Sequence, residues 1–562
     1  MRMKWKQGLY SLIIGAGITM SMVACSDDPT EGKDGSVAAE EYGWYSFRNI
    51  MQSATGARAT RATDPGTEPE NMVNRMRIVF YNNDDGIAHY AFDYSGTSLH
   101  GTGQDFLGTS MLDPASPDAP AGYSPSKDGG FAPMAMKLKI ASYKMLVLLN
   151  PSDAVVNVTR AKEEWVDITP ESGSNGGVGS GMSNATVFKT EVGRADGNDL
   201  TDFIGASNYS DNPDNFLMSN YQDLVNIPED FLQTTPKLAY LASVVVKVDR
   251  AVAKVSMKTN YADLENASNA WVSGGTWRLD ITNKTSFWMR KMAPSLGGGV
   301  ENSNTDRENF YAEDPNFDKY SWTRYESKNL PVPTDLVTTS ADDYKTYFNT
   351  ITEADVNINL TNDFTYEYAL ENTMAAEEQF QDVSTAAILR ITYYPKMSSA
   401  GTTMAQSGGY FIWKTWVLTP GDLVEIRDMN VGSADPDYKT FYDLKQYLLG
   451  ADRAELEAAF GQSYTNGGAV SRKVKDLTWN ADGINYYRIM IRHFGDSQAN
   501  DHEYGAYGIV RNNWYRLTLN KINGPGEIEI PEPVGPNPEK QYLGLSVQIL
   551  PWLLRDQDVD VR

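Results

Sequence analysis

Leu241-Ala-Ser-Val-Val-Val-Lys-Val-Asp-Arg250-Ala-Val-Ala-Lys-Val-Ser-Met257 holds two strand-like runs back to back. Both are rich in valine, whose branched side chain suits a pleated surface. The same signal recurs on either side. Upstream it marks Met76–Tyr81 and Ile87–Tyr94, joined by the turn-forming Asn82-Asn-Asp-Asp-Gly86,. Met136-Lys-Leu-Lys-Ile140 alternates apolar and basic residues, as a half-buried strand does, and Met145–Leu149 reads as a core strand,. Downstream come Thr276–Ile281, Ala387–Tyr394, Gly409–Trp413, Tyr486–Ile491 and Trp514–Leu519. One helical pattern stands out, Thr440–Phe460, with Leu444, Leu448, Leu449 and Leu456 among charges,. Short strands without regular strand–helix alternation predict an all-β chain of antiparallel β-sandwiches with short helical insertions.

Composition narrows the function. The chain has 562 residues, enough for two or more domains,. Its 49 basic and 73 acidic residues give a net charge of −24. So acidic a surface repels phosphate backbones, and no nucleic-acid partner is expected. The single cysteine, Cys25, excludes an intrachain disulfide and a cysteine zinc site,. Gly176–Gly181 lacks the Lys-Ser/Thr of a phosphate loop and is expected to be a flexible loop,. His493 and His502, near Asp496, Asp501 and Glu503, have no companion nucleophile and are expected in solvated loops,. No catalytic residue, metal site or cofactor emerges.

The two ends are the informative parts. Arg2, Lys4 and Lys6 precede an apolar stretch, Leu9–Val23, of 15 residues. A membrane span needs about 20, so this is the length of a signal-peptide core. It runs into Met22-Val-Ala-Cys25, with Cys25 placed as in a bacterial lipobox, where the thiol is acylated and the chain is cut before it. An ordinary secretory signal is the alternative. After a polar tether over residues 26–41, Tyr42–Met51 is aromatic-rich and strand-like,. The next stretch, Gln52–Pro69, is small, polar and punctuated by Pro and Gly, and is expected to be exposed and mobile,. It carries Arg58 and Arg61 among small neighbours.

At the other end, Asn523–Pro538 has five prolines and three glycines in 16 residues. It reads as an extended leash with few ladder hydrogen bonds, long enough to span roughly 50 Å. Beyond it Leu543, Leu545, Val547 and Ile549 alternate with Gly544, Ser546 and Gln548. This is a strand with one apolar face. It either folds back into its own sandwich, the commoner case, or is donated to another molecule.

Taken together these residues resemble the Bacteroidales fimbrillins, the FimA-like and Mfa-like pilus subunits, and among them the Mfa-like major shaft subunit. The resemblance rests on the lipobox at Cys25, Arg61-Ala-Thr before the first core strand, Val248-Asp-Arg-Ala-Val-Ala-Lys-Val255, Val510-Arg-Asn-Asn-Trp-Tyr515 and Ser546-Val-Gln-Ile-Leu-Pro-Trp552. About residues 100–235 and 290–480 nothing specific matches. The resemblance implies two transthyretin-like sandwich domains, 62–249 and 250–522, behind a signal peptide (1–24) and a propeptide (25–61), with 523–562 as leash and donor strand. It implies an outer-membrane lipoprotein precursor lipidated at Cys25 and cut by an Arg-specific, trypsin-like protease at Arg61, with Arg58 as the second choice. The cut frees an N-terminal strand and opens a groove. A strand from another copy, carrying Leu543, Leu545, Val547 and Ile549, fills it and builds a surface fimbria that serves adhesion and biofilm formation. Accessory fimbrial subunits are the other expected partners. The competing expectations are a tip adhesin or anchor subunit, and a glycan-binding surface lipoprotein.

Overall fold

The computed structural model describes residues 41–51, 68–95, 135–166, 174–178, 180–186, 191–193, 200–205, 215–221, 223–292, 311–317, 344–375, 381–432, 438–464, 467–493, 507–533 and 543–551. The described chain is mostly β-sheet with a few short helices.

Two sheet systems meet at Ala251. The quoted valine-rich stretch divides there: Val244–Arg250 joins a nine-stranded sheet, and Val252–Thr259 joins another. The nine-stranded sheet is built around the hairpin Arg75–Asn82 and Ala88–Ser95, with Tyr143–Leu149 on its other side. Its turn is the expected one: Gly86 adopts φ +67°, and its N–H donates to the Asn82 carbonyl at 2.8 Å. A separate two-stranded ribbon, Tyr42–Tyr45 with Met136–Lys139, packs Tyr45, Met136 and Leu138 into the same core.

The second system is a four-on-four sandwich. One layer runs Thr365–Leu370, Val252–Thr259, Asn513–Ile522 and Leu543–Pro551; the other runs Ile358–Asn359, Ala270–Asp280, Ala386–Pro395 and Ile484–Met490. Val255 and Met257 from the first layer meet Trp277, Leu389 and Ile489 from the second in one buried cluster. The first layer is not purely antiparallel, because Val252–Thr259 pairs with Asn513–Ile522 in parallel.

Between strands Ala386–Pro395 and Ile484–Met490 the chain makes an extra lobe with its own core. A four-stranded sheet there carries Phe411 and Leu418 against Leu444, Leu448 and Phe460 from helices. The expected 440–460 helix is two helices, Lys439–Leu449 and Arg453–Phe460, broken at Gly450. A third, Pro420–Asp428, was not foreseen, although Thr419 and Asp422 form a capping box and Pro420 opens the helix,. Leu241, read as strand, closes the helix Pro236–Leu241, which Thr235 caps.

Two further expectations are corrected. Ser174–Val178, which includes Gly176 and Gly177, is a strand paired with Glu163–Val166 rather than a loop. His493 is 6 % exposed, with its ring Nδ1 2.6 Å from the Tyr515 hydroxyl, so it belongs to the interior. His502 lies outside the described residues.

Candidate functional site

Three features bear on function: the N-terminal segment, the C-terminal strand and the polar junction between the two sheet systems. Cys25, Arg58 and Arg61 lie outside the described residues.

The N-terminal segment is built into the fold. Tyr42–Tyr45 pairs antiparallel with Met136–Lys139, and Phe47–Met51 pairs in parallel with Val244–Val248. Trp44 and Gln233 exchange backbone hydrogen bonds of 2.7 Å in both directions. Tyr45 and Phe47 are 2 % and 0 % exposed and stack with centroids 6.4 Å apart, while Tyr45 meets Phe80 edge-on. Each of these rings contributes roughly 1.5–3 kcal/mol of burial. One feature works against the seat. The Tyr45 hydroxyl is buried with no hydrogen-bond partner among the described residues, an omission that costs about 1–3 kcal/mol.

What this segment covers is an edge. On its other side Val244–Arg250 is paired with Met218–Asn220 only over Val248–Arg250. Phe47–Met51 is therefore the ladder partner of Val244–Lys247 and ends the sheet. Without it, the backbone N–H and C=O groups of this strand would stand open beside the slot left by two aromatic rings, a template for an incoming strand.

The C-terminal strand Leu543–Pro551 lies at the edge of its own chain's sandwich, antiparallel to Asn513–Ile522. Its register sets Leu543, Leu545, Val547 and Ile549 opposite Ile522, Leu519, Leu517 and Tyr515. Those four partners are at most 1 % exposed. Both ends of the described chain are thus sheet-edge strands.

The junction explains two of the sequence motifs. Asp249 pairs with Arg290, and Arg511 with Glu371 at 2.9 Å; all four side chains are at most 3 % exposed. Arg511 also donates to the Phe287 carbonyl at 2.6 Å and to Ser286 Oγ at 3.1 Å. Arg250 donates through Nε to the Glu70 carbonyl at 3.1 Å and through Nη1 to Asn512 Oδ1 at 3.3 Å. Lys254 and the Tyr368 hydroxyl both meet Glu70 Oε1. Nearby, Asp314 accepts from Asn283 Nδ2 and from the Thr373 and Asn316 N–H groups. Burial outweighs these bonds and pushes its carboxyl up to about 7. Burial does the same to Glu367, up to about 7, against the pull of Arg278.

Sequence reasoning singled out the 248–255 and 510–515 motifs but missed Glu70, Arg290 and Glu371. Each lies far along the chain from its partner, and nothing in its local pattern sets it apart. Glu70 sits in the short helix Glu68–Asn71, nine positions after Arg61, so the chain just beyond the candidate cut is tied to the junction.

Residues 480–558 match the family model described as "Major fimbrial subunit protein type IV, Fimbrillin, C-terminal". The matched region contains the strands Ile484–Met490, Asn513–Ile522 and Leu543–Pro551. No curated protein matches the sequence. Among solved structures, a putative cell adhesion protein from Parabacteroides distasonis is 11 % identical, covering 92 % of this chain and 98 % of its own, with a TM-score of 0.39. A fimbrilin (FimA) from Porphyromonas gingivalis is 13 % identical, covering 92 % and 98 %, with a TM-score of 0.38. The tip fimbrial protein Mfa3 of Porphyromonas gingivalis, with a C-terminal truncation, is 10 % identical, covering 90 % and 99 %, with a TM-score of 0.30.

Proposed function

We propose that the chain, whose residues 480–558 match the C-terminal fimbrillin model, is a non-enzymatic fimbrial shaft subunit that polymerises by exchange of β-strands after proteolysis. The precursor is a lipoprotein held on the outer membrane through Cys25, since several acyl chains on one residue suffice for stable anchoring. An Arg-specific, trypsin-like protease cuts at Arg61, or at Arg58. Either cut separates Tyr42–Met51 from the body and detaches the lipid. The strand Val244–Arg250 then loses its partner. The C-terminal strand of another copy fills the vacated slot with Leu543, Leu545, Val547 and Ile549.

One observation carries this reading. The segment that ends the nine-stranded sheet, with Tyr45 and Phe47 fully enclosed, lies upstream of both candidate cut sites. Its departure alone converts a closed edge into an acceptor. Four buried aliphatic residues on the incoming strand supply roughly 6–12 kcal/mol gross, before the entropy of ordering is subtracted. The strand's pairing with Asn513–Ile522 of its own chain, which donation gives up, is subtracted as well. Accessory fimbrial subunits would join the same polymer through the same edges.

The test is electron microscopy of the purified precursor before and after limited trypsin, with N-terminal sequencing of the assembled protein. Filaments should form only after the cut, and their chains should begin at Ala62. A start upstream of residue 50 in filaments would sink the groove-opening model.

A further inference from the structure

We propose that residues 524–531 form a fixed clamp on the sandwich edge, so that the C-terminal strand is tethered from this clamp and not from the end of strand Asn513–Ile522. The inference rests on the strand-exchange reading above and adds the geometry of its leash.

The contacts are specific. Strand Ile484–Met490 is the last strand of its layer, an open edge in need of cover,. The first half of the leash covers it. Tyr486 and Glu527 exchange backbone hydrogen bonds of 2.8 and 3.1 Å. The Gly526 N–H donates to Asn485 Oδ1 at 3.0 Å, and the Tyr487 hydroxyl donates to the Gly524 carbonyl at 2.8 Å. Arg488, itself buried and paired with Asp280, donates twice to the Pro531 carbonyl, at 3.1 and 3.0 Å. Ile530 packs on the cluster of Val356, Ile388 and Tyr486. Gly526 has no substitute here, because a Cβ would stand 2.4 Å from the Tyr486 carbonyl oxygen.

The stretch 523–538, expected to be extended with few ladder hydrogen bonds, is described as far as Pro533, and the Tyr486–Glu527 bridge and side-chain contacts hold its first half to the sandwich edge. The last residue of the clamp is Pro531, so eleven residues, 532–542, separate it from Leu543. At polyproline rise these twelve steps span at most about 37 Å, against about 65 Å for the 21 steps from Ile522 were the whole stretch free. The acceptor slot of the next copy must then lie within that distance of the clamp. Leash length and clamp together set the spacing of copies in the filament.

The test is a suppressor experiment on the full chain, read as filament yield after the trypsin cut. Deleting 535–538 removes four of the eleven residues, and filament yield should fall at least tenfold while the uncut monomer melts as wild type. Adding Gly526→Val and Ile530→Asp to that deletion releases the clamp, lends about nine further residues, and should restore assembly. Normal assembly by the deletion, or no rescue by the release, overturns the proposal. A chain lacking 543–562 separates the two levels. If it still polymerises, strand donation is wrong, and the clamp stands or falls on hydrogen exchange in that same variant. The Glu527 amide should stay at least tenfold slower than in the Gly526→Val, Ile530→Asp chain, and equal rates reject the clamp.

Discussion

Arg511 carries a charge into a site with no solvent access because Glu371 meets it there. Such a pair adds little net stability over an apolar pair, yet removing one partner strands the other. Arg511→Met should cost roughly 3–5 kcal/mol in denaturant unfolding, and Arg511→Met with Glu371→Leu should recover most of that loss. Equal losses for single and double variants would show that the pair does not act as a unit. Asp314 makes a second prediction. Its folded pKa, raised to about 7, lies above the unfolded value of roughly 3.9,. Between these values the folded state holds more protons than the unfolded one, so this group's contribution to stability falls as pH rises from 4 to 7. Asp314→Asn should flatten that fall in melts taken across this range; an unchanged slope would count against it. At this scale the motifs were legible and their partners were not. Val248–Val255 and Val510–Tyr515 stand out as runs, whereas Glu70 and Arg290 become meaningful only when the chain brings them to Lys254 and Asp249.

At the scale of elements the strands were the readable part. Alternation and β-branching follow from local contact with a pleated face, so Met76–Tyr81 and Ala387–Tyr394 fall within one or two residues of the observed strands. Pairing was less readable. Nothing local separates the parallel pairing of Val252–Thr259 with Asn513–Ile522 from an antiparallel one. The helix break at Gly450 and the capping box at Thr419 carried local signals that the apolar pattern masked. The leash misled because proline and glycine mark extended chain without saying whether a neighbouring edge will hold it. The N-terminal strand gives a prediction of this scale. Phe47→Ala should destabilise the uncut precursor by about 3–5 kcal/mol, the usual cost of emptying an aromatic site. After cleavage and removal of the freed segment, variant and wild type should melt alike. A persistent difference would place Phe47 outside the removable part.

At the scale of the whole molecule, the fold places an edge strand at each end of the described chain, one before the arginine-bearing stretch 52–67 and one after the Pro/Gly-rich stretch 523–538. Net charge does not favour self-association: without residues 1–61 the count is 42 − 67 = −25. On the proposed reading, copies attract through strand pairing and apolar burial against this repulsion. A cut at Arg61 or Arg58 would also take away Cys25, the one cysteine, so an engineered thiol pair in a chain so cut has no competitor. Val246 is 1 % exposed on the strand that the N-terminal segment covers. The decisive measurement mixes Val246→Cys protein with Val547→Cys protein, neighbouring positions 545 and 549 serving as register controls, and follows disulfide-linked dimers on non-reducing gels before and after trypsin. The account predicts a covalent dimer between the two variants only after the cut, strongest at one of the three tail positions. Filaments that form without any such cross-link, or a dimer that forms equally before the cut, would contradict it.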